Sequence, residues 1–109
     1  MIRISLNYRT KGDNQSGLIG FSIRGHANFG NHGQDVVCAA ISAIAQTAVL
    51  GLIEVAKISP DIDKSDGWLS VVIFENEQRL DIRAILDTMV TGIRNIATQY
   101  PKHIKIEEN

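Results

Sequence analysis

The longest apolar run in the chain, Val36 to Val55, reads "VVCAAISAIAQTAVLGLIEV" and limits the possible folds more than any other stretch. Ser42, Gln46, Thr47 and Glu54 interrupt it. It therefore reads as a buried helix rather than a bilayer span, which needs ~20 predominantly apolar residues in succession. The helical pattern extends from Asp35 to about Ile58, apolar on nearly every face and rich in small Ala and Ser. Such a helix belongs in the middle of a domain, covered on several sides. The segment "SPDIDKSDG" (Ser59 to Gly67) ends it, because Pro60 cannot continue a helix and Asp, Ser and Gly favour turns.

A helix of this kind needs a sheet to cover it, and the flanking sequence supplies strands. Ile2, Ile4, Leu6 and Tyr8 share one face at period two and predict a strand of roughly seven residues. Thr10 to Gly17 is a turn-rich connection to a second strand, Leu18 to Arg24, so the two form an antiparallel hairpin. Trp68 to Phe74 is a third strand, followed by the polar connection "ENEQR". A second helix runs from about Asp81 to Tyr100, with Ile82, Ile85, Leu86, Met89, Ile93, Ile96 and Tyr100 along one stripe. Asp81 is placed to cap it and Pro101 to stop it. His103 to Glu107 is a short last strand. The order is ββαβαβ. It predicts a single α/β (α+β) domain over residues 1–109, its helices packed on a mostly antiparallel sheet.

Composition narrows the function. Hydrophobic residues make up 44% of the 109 and charged residues 21%, the balance of a folded globular domain. The formal net charge is −1 and no basic stripe runs along the sequence, which points away from direct nucleic-acid binding. The opening "MIRISLNYRT" alternates apolar and polar residues and lacks the features of a secretory signal. One cysteine permits no intrachain disulfide and suits a reducing compartment, so the expected location is cytoplasmic, without a membrane partner.

That cysteine is the residue on which function turns. Asp35 stands where a glycine-bearing loop gives way to the long helix and is a suitable N-cap. Cys38 is then the third helical residue, where free N–H groups and the positive end of the helix dipole favour the thiolate, the form that acts as nucleophile. His26 ends the second strand, and the packing of hairpin on helix can set it beside Cys38 as proton acceptor and donor. Between them lies a loop of Ala27, Asn28, Phe29, Gly30, Asn31, His32, Gly33 and Gln34. Its N–H groups, with those of the helix start, could form an oxyanion hole. Ser42, one turn below Cys38, could hydrogen-bond the site.

Blander readings compete. A lone cysteine on an apolar helix is often a small buried hydrophobe, and Asp35 could be a cap and nothing more. His26, His32, Asp35 and Cys38 are also possible zinc ligands, but their spacing matches no usual pairing, so no metal and no other cofactor is expected. Redox sensing by Cys38 lacks a resolving cysteine in the chain.

The same residues resemble the signature of the ribosomal-processing cysteine protease family, a Gly-His-Ala triplet followed after a variable loop by Gly-x-Asp-[Ile/Val]-Val-Cys-Ala-Ala-[Val/Ile]-Ser. Here the blocks are Gly25-His26-Ala27 and Gly33-Gln34-Asp35-Val36-Val37-Cys38-Ala39-Ala40-Ile41-Ser42. "DGWLSV" and "MVTGIRNIATQYPKHIKI" are similar to the family's third strand and its closing helix and strand. The chain departs from the pattern at Asn28-Phe29, where a small residue and a tyrosine are common, and at His32, an imidazole many members lack.

The resemblance implies a homodimeric endopeptidase that removes a short N-terminal extension from large-subunit ribosomal protein number twenty-seven, after an aromatic residue. It implies Cys38 as nucleophile, His26 as base, Asp35 as a residue of open role, and a loop from Ala27 to Gln34 that moves when substrate binds. The alternative from another class is a non-catalytic ribosome-assembly or peptide-binding module of the same fold, which would have no need of the His26/Cys38 pair.

Overall fold

The computed structural model describes residues 1–25 and 35–109. Two helices cover one face of a five-stranded sheet ordered β3-β4-β2-β1-β5. β1 (Ile2–Thr10) and β2 (Asp13–Arg24) form the expected antiparallel hairpin. Ile2, Ile4, Leu6 and Tyr8 are buried while Arg3, Ser5 and Asn7 alternate onto the open face, which is the period-two pattern made physical. β2 begins earlier than its apolar pattern. The polar residues Asp13 to Gln15 are exposed, yet their backbone still pairs. At an irregularity in this ladder the Ser16 hydroxyl accepts the Thr10 N–H at 2.9 Å. A polar hairpin tip exposed on both faces carries no alternation, so sequence assigned it to a loop.

α1 spans Val36–Leu50 and runs directly into a π-helical turn, Gly51–Val55, ending short of the expected Ile58. The wider turn closes when the Ala56 N–H donates to Gly51 O at 2.9 Å, and Lys57 then takes a left-handed φ of 59°. By length and composition alone Val36–Val55 would qualify to cross a bilayer. Here Val37, Ile41, Ala45, Ala48, Val49 and Leu52 lie in the core. The expectation of cover on several sides fails within one chain, because Val36, Leu50, Ile53 and Val55 are exposed. The sheet lies on one side of α1, α2 lies beside it, and nothing among the described residues forms a third layer over its outer face.

The largest departure lies in the segment read as a helix stop. Asp61–Ser65 is a strand, β3, paired antiparallel with β4 (Trp68–Val72) around a two-residue turn, Asp66-Gly67. Gly67 has φ +71°, a conformation glycine adopts without strain. All five β3 residues are exposed, so no buried apolar face marked the strand. The order is therefore ββαββαβ. β4 ends at Val72 rather than Phe74, although the Ile73 N–H still reaches Ile19 O at 2.9 Å.

α2 (Leu80–Gln99) buries Ile82, Leu86, Met89 and Ile93 of the expected stripe, with Ile85, Ile96 and Tyr100 partly buried, and adds Val90 to the core. Asp81 is not its cap. Arg79 occupies that position, and the Asp81 carboxylate accepts from the Ile82 N–H and pairs with the Arg79 guanidinium. β5 (Ile104–Glu108) lies parallel to β1, the one parallel pair among antiparallel ones.

Candidate active site

The Asp35 carboxylate accepts the Cys38 N–H at 2.9 Å, and Ala39 N–H donates to Asp35 O at 3.0 Å as the first rung of the helix ladder. Asp35 is thus the N-cap of α1 and Cys38 its third residue, the local geometry the spacing demanded. Cys38 is partly buried, packed against the core on one side and lining a cleft of about 600 Å³ on the other.

Three elements build that cleft. α1 contributes Cys38, Ser42 and Gln46 from successive turns; β2 contributes Ile23; the β3–β4 hairpin supplies Lys64, Asp66 and Leu69. Ile23, Leu69 and Lys64 stand in one register row on the helix side of the sheet. The floor is therefore apolar, and its outer wall carries one charge of each sign, Lys64 and Asp66. Lys64 Nζ donates to Gln46 Oε1 at 3.4 Å, and Gln46 Nε2 donates to Ser42 Oγ at 2.6 Å. Ser42 lines the cleft, its hydroxyl accepting from Gln46 of the next turn. Sequence reading missed Gln46, Lys64, Asp66 and Gly67. The available signal was the Asp-Gly dipeptide, a hairpin marker that was taken for a helix stop.

Gly25 sets the path of the chain at the cleft edge. Its N–H donates to Gly67 O at 2.8 Å, its φ is +92°, and a Cβ there would lie 2.5 Å from the Met1 carbonyl oxygen. No side chain fits, so a glycine must precede His26. His26 itself, and the loop of Ala27, Asn28, Phe29, Gly30, Asn31, His32, Gly33 and Gln34, lie outside the described residues. Among the described residues no cluster of His, Cys, Asp or Glu is arranged to hold a metal ion.

A two-layer α+β fold that presents its one thiol from a helix N-terminus into an open cleft is the architecture of a small thiol hydrolase. The cysteine protease Prp family model matches residues 1–105, and the chain belongs to that family of cysteine peptidases. The ribosomal processing cysteine protease Prp of Bacillus subtilis is 31% identical over 98 residues, covering 85% of this chain and 88% of its own. Its counterpart in Staphylococcus aureus strain Mu50 is 31% identical over 83 residues, covering 75% and 78%. Among solved structures, the S. aureus protease with a covalently linked product peptide superposes with a TM-score of 0.89 at 24% identity, covering both chains completely. The form with a substrate peptide gives 0.84 at 23%, again over both whole chains.

Proposed function

We propose that this protein is an endopeptidase that trims the N-terminal extension of a large-subunit ribosomal protein, number twenty-seven, in the cytoplasm, with Cys38 as nucleophile and His26 as general base. One observation carries the reading: in a cysteine peptidase family, the chain's single cysteine stands on a helix N-terminus and lines the cleft. The Cys38 sulfur attacks the scissile carbonyl and the His26 imidazolium protonates the departing amine. Water, deprotonated by His26, then hydrolyses the thioester and releases the acyl product. Because the Asp35 carboxylate holds the Cys38 N–H, the oxyanion is left to other N–H groups of the helix start and the adjoining loop. Asp35 positions the nucleophile by fixing the first turn. The relatives' names, and the substrate and product peptides in the S. aureus structures, support a peptide partner.

We propose further that the active species is a homodimer joined through the outer helix layer. From Val36 to Ile53 the sequence contains no Asp, Glu, Lys, Arg or His, yet Leu50 and Val55 stay exposed. A groove of about 650 Å³ between α1 and α2 is floored by Ala43, Ile44, Gly51, Ile85 and Gly92. Small residues there allow the helices of a second copy to approach closely.

The test is incubation with the ribosomal protein bearing its extension, followed by mass measurement. The wild type should remove the extension. A folded Cys38→Ala variant should leave it intact, as should His26→Ala, since general acid–base catalysis contributes ~10²–10⁴-fold and the base must also activate the thiol. His32→Ala should keep most activity. Undiminished turnover by Cys38→Ala would end the covalent mechanism, and the reverse histidine pattern would reassign the base.

A further inference from the structure

Both helices lie on one side of the sheet, so among the described residues no helix covers its other face. Strand register places Trp68 opposite Arg24, Arg24 opposite Arg3, and Arg3 opposite Lys105. All four alternate away from the buried positions beside them, forming one row across β4, β2, β1 and β5. These cations stand at positions 3, 24 and 105, which is why the linear sequence has no basic stripe. Like charges directly opposite one another destabilise a sheet. Here Arg3 faces Arg24 on one side and Lys105 on the other, and one carboxylate, Glu107, lies 3.9 Å from both Arg3 and Lys105. The other acids on this face, Asp61 and Asp63, belong to β3 beyond Trp68.

The neighbouring row is Asp63, Ser70, Ser22, Ser5 and Glu107, three hydroxyls between two carboxylates. The face is thus a flat platform with a line of cations ending in an indole, and a parallel line of hydroxyls beside it. With strands about 4.8 Å apart the three cations span about 10 Å, and the row with Trp68 about 14 Å. Four-stranded RNA-binding sheets stack two or three bases across such a face.

We propose that this face binds single-stranded RNA, with Arg24, Arg3 and Lys105 on the phosphates and a base stacked on Trp68. The short Ser70 and Ser22 side chains offer hydroxyls to 2′-OH groups, the feature that separates RNA from DNA, while Ser5 Oγ already accepts from Asn109 Nδ2 at 2.8 Å. Charge and the stacking indole together select a nucleic acid over an acidic peptide, which would use the cations but not the ring. The row meets the rim of the Cys38 cleft at Trp68, so bound RNA would lie beside the cleft mouth.

Trp68 is the only tryptophan, so its intrinsic fluorescence reads the platform directly. Ten-nucleotide oligouridylate should quench it saturably. Three phosphate contacts should give a slope of log K against log salt of about −2. Oligothymidylate should bind more weakly, and polyglutamate should not quench. The triple variant Arg3→Ala, Arg24→Ala, Lys105→Ala should lose at least tenfold in affinity. If that variant does not fold, Arg24→Gln and Lys105→Gln singly should each reduce the salt slope by a little under one. Absent quenching, a flat salt dependence, equal binding by DNA or polyglutamate, or full affinity in the folded variants would overturn the proposal.

Discussion

At the residue scale, Gly25 shows how a backbone constraint serves a site. Its left-handed φ, and the 2.5 Å that would separate an added Cβ from Met1 O, mean that any side chain must move the N-terminal strand or the chain entering His26. Gly25→Ala should destabilise the fold by about 1–3 kcal/mol, the range for strained backbone positions, read as a lower denaturant midpoint at unchanged m-value. Cleavage should fall further than stability alone explains, because residue 26 is displaced with it. The local chemistry of the site was legible in sequence: Asp35 as cap and Cys38 in the first turn follow from spacing within one element. Lys64 and Gln46 were not, since they meet only when a solvent-exposed hairpin folds beside α1.

Elements whose pattern comes from burial were found, and those whose pattern comes from exposure were missed. α2 was legible because five of its residues line the core, whereas β3 has no buried residue at all. The start of α2 was misread for a related reason. Asp81 has the chemistry of a cap, but Arg79 takes it as a partner at 2.7 Å while also donating to Ala56 O at 2.7 Å. One guanidinium thereby ties the end of the π-turn to the beginning of α2. The Arg79 hydrogen bond holds the Asp81 carboxyl down to about 2, from its ordinary 3.8. A depressed carboxylate stabilises the fold fully above the ordinary value and loses that contribution as pH falls through the folded one. Between pH 4 and pH 2 the wild type should therefore lose stability more steeply than Asp81→Asn, measured as urea midpoints. The exposed pair makes this difference small and salt-sensitive.

At the scale of the molecule, the uncharged outer surface of α1 is the feature the monomer leaves uncovered. Leu50 is 59% exposed, so a glutamate there should cost the monomer little while placing two like charges across a twofold interface. On the proposed dimer, the wild type should sediment as a dimer and Leu50→Glu as a monomer; an unchanged dimer would move the interface elsewhere. The parallel pairing of β1 with β5 has a consequence in time. Ile2 pairs with Ile104, so the first strand made waits for nearly the whole domain before its outer edge is covered. Closing so long a loop is entropically unfavourable and is repaid only by the strand it brings home. Until then β1 and β2 form an open-edged hairpin with a sticky apolar face. Synthesis should thus yield an inert, aggregation-prone chain for most of its duration, with the thiol cleft becoming rigid only when the last strand docks.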